Sequence, residues 1–177
     1  MNKVVLAILC TLLASTGMAQ ESQTVFNFLR LPVSAHVAAL GGDNITIQED
    51  DASLLFHNPA LMNNVSDKTL NLNMMTYMEG SVTASASFLR AAGKRGTWGV
   101  SGRFINYGEM KEMNSLGEQT GTFGAKDIAL GGTYTYALSD HFTGGITAKL
   151  IGSYIGQYNS LGAGVDLGMN YYHAASE

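Results

Sequence analysis

With 177 residues, 10 basic and 14 acidic side chains and a net charge of -4, the chain is the size of one structural unit. Its Lys and Arg are too few and too scattered for a phosphate-binding stripe, which excludes nucleic-acid recognition. Charged residues make up only 14%, against about 25% in soluble domains, while Gly reaches 21 and Pro only 2, a composition that fits a membrane β-barrel better than a soluble fold.

The first residues read Met1-Asn2-Lys3, then an apolar run from Val4 to Leu13, then Ala14-Ser15-Thr16-Gly17-Met18-Ala19. Small residues at Gly17 and Ala19 stand where a signal peptidase inspects the chain, so residues 1–19 read as a signal peptide cleaved before Gln20. The apolar run is far short of the roughly 20 residues that a spanning helix needs. Cys10, the one cysteine, lies inside it behind Leu9, so the lipoprotein signal is missing and the mature chain has no thiol or disulfide. Cleavage removes Lys3 and no acid, leaving nine basic residues against 14 acidic and a net charge near -5.

Residues 20–65 show no sustained period. They hold Leu31-Pro32, the pair Gly41-Gly42, the acidic run Glu49-Asp50-Asp51, and Asn58-Pro59-Ala60. The spacing predicts an irregular segment with a short helix over Val33–Leu40 and a helical turn begun by Asp51, since Asp caps a helix start well. Asn58-Pro59 predicts a sharp turn, because the residue before a proline is pushed out of helical geometry.

From residue 66 to 177 the chain alternates, and six strands are predicted. Leu70, Leu72 and Met74 oppose Asn71 and Asn73. Val82, Ala84, Ala86 and Phe88 oppose Ser81, Thr83, Ser85 and Ser87. Trp98, Val100 and Phe104 oppose Thr97, Gly99, Ser101 and Arg103. Ile128, Leu130, Tyr134, Tyr136 and Leu138 oppose Ala129, Gly131, Thr133 and Thr135. Phe142, Ile146, Leu150 and Tyr154 oppose Thr143, Gly145, Thr147 and Lys149. Leu161, Val165, Leu167, Met169 and Tyr171 oppose Gly162, Gly164, Asp166, Gly168 and Asn170. Each is expected to span about 9–12 residues, the length of a membrane-crossing strand.

Three features point the apolar face at hydrocarbon. Arg103, Lys149 and Asp166 all fall on the small, polar face, as they must where a charge on the lipid side costs about 2–4 kcal/mol. That polar face is mostly Gly, Ser, Thr and Asn, thin in charge for a solvated surface. Phe88, Phe104, Phe142, Tyr154 and Tyr171 gather near strand ends, where interfacial girdles belong. The expected fold is therefore all-β, a transmembrane antiparallel β-barrel of the outer membrane in contact with outer-membrane lipid.

Connections set the sides. The stretch Gly108–Lys126 reads as a long external loop, whereas Gly93-Lys94-Arg95-Gly96 and Ser139-Asp140-His141 read as short periplasmic turns. Six strands are too few to close, since single-chain bacterial barrels begin at eight and an open edge in hydrocarbon leaves backbone groups unpaired. The chain reads as the N-terminal part of a longer barrel, with a barrel assembled from several chains as the rival.

The runs Phe28-Leu29-Arg30-Leu31-Pro32-Val33-Ser34-Ala35, Ala38-Ala39-Leu40-Gly41-Gly42, Asp50-Asp51 and Leu55-Phe56-His57-Asn58-Pro59-Ala60-Leu61 resemble the start of the PorQ family. These are outer-membrane components of the type IX secretion system, with PorV and FadL-like barrels as wider relatives. The resemblance covers residues 26–64 well and the strands in style. It implies a FadL-like barrel of about fourteen strands whose N-terminal segment packs in the lumen as a hatch. It also implies a non-enzymatic role, holding PorZ at the surface within the attachment complex that includes PorU and PorV. Asn58, Pro59 and Ala60 carry over as hatch-turn residues. Asp50 and Asp51 carry over as polar contacts to the lumen wall, with simple solvation of these acids as the equal alternative.

No catalytic, metal or cofactor site is expected. His36, His57, His141 and His173 lack metal-ligand spacing. Gly-x-Ser-x-Gly and Ser-x-x-Lys signatures are missing from the sequence. Gly162-x-Gly164 lies within an alternating strand instead of leading into a helix, so it fails as a dinucleotide loop. Two other readings stand beside the scaffold. A FadL-like transporter of hydrophobic compounds calls for an apolar lumen, whereas here only Met75 and Ile151 interrupt the polar face. The last reading is a soluble exported β protein.

Overall fold

A computed structural model describes residues 26–77 and 80–172, so the signal-peptide reading and the last residues, His173 included, lie outside the described residues. The described chain is an irregular N-terminal segment laid on one antiparallel sheet of six strands in sequence order. These are β1 (Leu70–Thr76), β2 (Val82–Ala92), β3 (Gly96–Met113), β4 (Gln119–Ala137), β5 (Phe142–Ile155) and β6 (Tyr158–Tyr171). Each strand pairs with the next as a hairpin, and β1 and β6 form the two edges among the described residues.

The N-terminal segment is built from short helical turns, each with its own cap. The 3-10 helix Asn27–Arg30 comes first. Helix α1 (Ala35–Ala39) starts at Ser34, whose Oγ accepts from the Val37 N–H at 3.1 Å, and ends where Gly41 and Gly42 turn to φ of +98° and +94°. Such left-handed geometry suits glycine and lets the Gly42 N–H bond the Val37 carbonyl. Asp51 caps the 3-10 helix Ala52–Phe56, and Asn58 caps the 3-10 helix Pro59–Asn64, which has its proline in the first turn.

The core lies between this segment and the small-residue face of the sheet. Phe28 packs with Ile105, Ala129 and Ile151; Val33, Val37, Leu54 and Leu61 form a second cluster; Ala52, Leu55 and Met62 meet Leu89. Leu89 and Ile105 lie one position past the expected ends of their strands, so the buried face carries more apolar anchors than Met75 and Ile151. The other face holds no such cover. Leu70, Leu72, Leu130, Leu150, Leu161 and Leu167 are each more than half exposed.

Two expectations about strand length are corrected. β1 is only 7 residues, β5 and β6 are 14 each, and β3 and β4 reach 18 and 19. Gly108–Lys126 is mostly strand, because β3 and β4 continue pairing to Met113 and Gln119 and leave a turn at residues 114–118. Register shifts between Asn106 and Glu109, and between Glu112 and Met113, break the two-residue period. Bulges of this kind hide a strand from any reading that relies on alternation.

Candidate functional site

The site is the seam between the N-terminal segment and the sheet. An irregular segment brings carbonyls without regular partners, and a buried carbonyl must find a donor. Here the sheet supplies them. Ser85 Oγ donates to the Val33 carbonyl at 2.9 Å, Ser87 Oγ to that of Ala52 at 3.4 Å, and Thr135 Oγ1 to that of Pro59 at 2.5 Å. These three hydroxyls are donors matched to the segment, whereas Thr83 donates to the Phe104 carbonyl and Thr133 pairs with Thr147 within the sheet.

Arg103 forms the clasp in the middle of β3. Its Nη1 donates to the Leu29 carbonyl at 2.9 Å, its Nη2 donates to that of Leu31, and the guanidinium lies over the Phe28 ring at 5.7 Å. The side chain is 4% exposed. Farther along β3, Tyr107 donates its hydroxyl to Asp127 Oδ2 of β4 at 2.8 Å, and Lys149 pairs with Asp166 across β5 and β6.

Asn58, Pro59 and Ala60 seat on a single level of the sheet. Thr135, Gly145 and Gly168 are register partners across β4, β5 and β6. A Cβ on Gly145 would stand 2.6 Å from the Pro59 carbonyl carbon, and one on Gly168 would stand 2.0 Å from Asn58 Oδ1. Only glycine lets the backbones come this close. Asn58 spends its amide on both sides of the contact: Oδ1 accepts from the Ala60 N–H at 3.0 Å, and Nδ2 donates to the carbonyls of Ile45 at 2.9 Å and Met169 at 3.3 Å. Gly162 plays a similar part for the Phe26 ring, which a Cβ would meet at 2.6 Å. In the sequence Gly162 is only part of an incomplete dinucleotide motif within an alternating strand, and nothing local signals this steric role.

The two acids separate. Asp51 reaches the sheet, accepting from Asn71 Nδ2 at 3.4 Å while it caps Ser53 and takes 2.8 Å contacts from His36 Nδ1 and the Ser53 N–H. Asp50 instead bonds short of the strands, gripping the Ser66 N–H at 2.8 Å and its hydroxyl at 2.5 Å, four residues before β1 begins. Those two bonds, the hydroxyl's first, hold the Asp50 carboxyl below the usual carboxylate range. Burial pushes Asp51 upward, but the His36 and Ser53 hydrogen bonds outweigh it and the net shift is downward.

Two histidines read as isolated have acidic neighbours. His36 sits between Asp51 and Glu49, its Nε2 3.4 Å from the latter, and the Asp51 hydrogen bond raises its pKa. His57 faces Asp43 at 3.8 Å, and burial lowers its pKa. No cluster of His, Cys, Asp and Glu among the described residues could hold a metal ion.

Between segment and sheet lies a small cavity of about 30 Å³, lined by Arg103, Thr147, Lys149 and Asp166 among others. A broader trough of about 990 Å³ lies on the apolar face, where Ala86, Gly102, Gly132, Ala148 and Ala163 leave room between Leu70, Val100, Leu130 and Val165. No protein-family model matches the chain, and no curated protein matches it in sequence.

Proposed function

We propose that this chain is part of an outer-membrane β-barrel, exported through a signal peptide, whose N-terminal segment is a hatch against the lumen wall. Its role is that of a scaffold: a type IX secretion component that anchors the surface attachment complex through PorZ, together with PorU and PorV. The carrying observation is the inversion of ordinary burial. Across the six strands every leucine but Leu89 is exposed, while Thr83, Ser85, Ser87, Thr133, Thr135 and Thr147 are buried. In water such a sheet would present an apolar patch far larger than the few hundred Å² that soluble monomers tolerate. In a bilayer the same face is solvated by acyl chains, which also fill the trough beside Leu130.

The seam supports a scaffold over a transporter. Ligand pockets for small molecules run to about 300–1,000 Å³ and are mostly apolar, whereas the cavity between hatch and wall is about 30 Å³ and mixes Arg103, Lys149 and Asp166 with Leu29, Leu55 and Phe56 on its lining. The partner assignment rests on the resemblance over residues 26–64, and the topology on crossing parity, which puts the β3–β4 turn outside.

Fractionation and affinity capture test the reading. The full-length protein should sediment with outer membranes, dissolve only in detergent and migrate differently when unheated; release by osmotic shock would overturn the membrane assignment. Capture from detergent-solubilised membranes should recover PorZ. Fatty-acid binding without PorZ would favour transport instead.

A further inference from the structure

The β3–β4 hairpin outruns its neighbours. β2 pairs with β3 only as far as Val82 opposite Asn106, and β5 pairs with β4 only from Ile155 opposite Ala125, while β3 and β4 continue together to Met113 and Gln119. At ~3.3 Å per residue, residues 107–124 form a two-stranded arm reaching about 20 Å past the sheet. The flanking hairpins have already turned back, β2 near Gly80 and β5 at Gly156. Strands added at the β1 and β6 edges would therefore leave both flanks of the arm uncovered.

The tip is held in one shape. Asn114 Oδ1 accepts from the N–H groups of Leu116 at 3.0 Å and Glu118 at 2.9 Å, and Asn114 Nδ2 donates to Glu118 Oε2 at 3.0 Å. The Gly117 N–H closes the turn on the Asn114 carbonyl at 3.0 Å. These bonds present Leu116, 82% exposed, with Met113 exposed beside it. An apolar side chain on a turn that is already ordered gives up little further freedom when it docks. Around it the arm carries Glu109, Glu112 and Glu118 against Lys111 alone. At its root, Phe123, Ile155 and Tyr158 line a cleft of about 630 Å³ that Glu112 also borders.

We propose that this arm is the docking element for a protein on the outer side of the membrane, one that offers an apolar pocket rimmed by basic residues. Leu116 and Met113 fill the pocket, and the three carboxylates orient the approach. The acids disfavour an anionic lipid surface, and a second copy would present the same acids back. The inference rests on the scaffold reading above and adds where the partner sits.

The test measures binding of purified PorZ to the full-length protein in nanodiscs, with unheated gel migration confirming that each variant is folded. Leu116→Asp should weaken binding at least tenfold, and the double variant Glu112→Lys with Glu118→Lys should slow association and flatten its salt dependence. Lys94→Glu, at the opposite end of the sheet, should bind like the parent. If the parent binds and both arm variants bind equally well, the arm proposal is overturned and the scaffold reading stands. If the parent does not bind, the scaffold reading fails and takes the arm proposal with it. Self-association of the parent that Leu116→Asp abolishes would assign the arm to a second copy and overturn the proposal.

Discussion

Along β4, Ile128, Leu130, Tyr134 and Tyr136 are exposed, while Asp127, Ala129, Thr133 and Thr135, one position away in each case, are buried. Hydrophobicity alone does not decide burial on this sheet. Beside the apolar anchors Leu89, Ile105 and Ile151, the buried face holds side chains that donate to the carbonyls of an irregular segment, as Ser85 and Thr135 do, or glycines that leave room for its backbone; the exposed ones are those that an apolar medium would solvate. The two faces therefore answer to different selection: one to the exact course of residues 26–64, the other only to being apolar.

The sharpest way to break that contrast is to place the same substitution on each face. Gly145→Val drives a side chain into the backbone of Pro59 and Ala60, where a Cβ alone already stands at 2.6 and 2.7 Å. It should cost about 4 kcal/mol, the upper end of single-site effects, and expose residues 26–64 to protease. Gly132→Val has nothing within 4 Å of its new Cβ and should leave protease protection unchanged. Equal protection in both variants would show that the segment does not seat on Gly145.

A charge tests the other face. Leu130→Arg, on a residue 57% exposed, places a cation on the apolar side. Unfolding in lipid vesicles should show a loss of about 2–4 kcal/mol if that side meets the bilayer midplane. Surface substitutions on soluble proteins usually stay within about 0.5 kcal/mol, so a change that small would return the chain to the soluble class.

How much of this was legible in the sequence follows the same division. The apolar face was readable because period-two alternation survives wherever strands are regular, as from Val82 to Phe88. The caps at Asp51 and Asn58 were readable because they act over two or three residues. The arm was not, since bulges near Gly108 and Thr120 put Met110, Met113 and Phe123 out of phase. Nor was the seam. Nothing local in Arg103 announces carbonyl partners at Leu29 and Leu31, more than 70 positions earlier, and a Gly needed for close approach looks like any other Gly in a strand.

Arg103→Met asks whether those distant carbonyls matter. Methionine keeps much of the stem's volume but leaves the Leu29 and Leu31 carbonyls without their charged donor. The expected loss is about 2 kcal/mol, since bonds to charged groups are worth more than neutral ones and the desolvation of a buried guanidinium offsets part of the gain. Amide exchange should quicken at residues 26–33 and stay slow at 58–62, which the Gly145–Gly168 level holds separately. Uniform quickening across both stretches would mean that the segment lifts as one unit.

The smallest effect compares two histidines within the segment. His36 has its pKa raised, mainly by Asp51, so its contribution is fully present below the ordinary value of about 6.5 and is lost as pH rises through the raised one. His57 has its pKa lowered, mainly by burial, so its contribution is present above about 6.5 and is lost as pH falls through the lowered one. Over pH 5 to 8 the two contributions have opposite slopes, so the pH dependence of the parent's protease protection is their difference. His36→Gln should leave a segment that loosens on acidification, and His57→Gln one that loosens as pH rises toward 8. Flat profiles in both variants would show that neither ring titrates differently in the folded chain. The same slope in both would place the titrating group elsewhere, with Asp50 and Asp51 next to be tested below pH 4, where their lowered pKa values make carboxylate protonation costly.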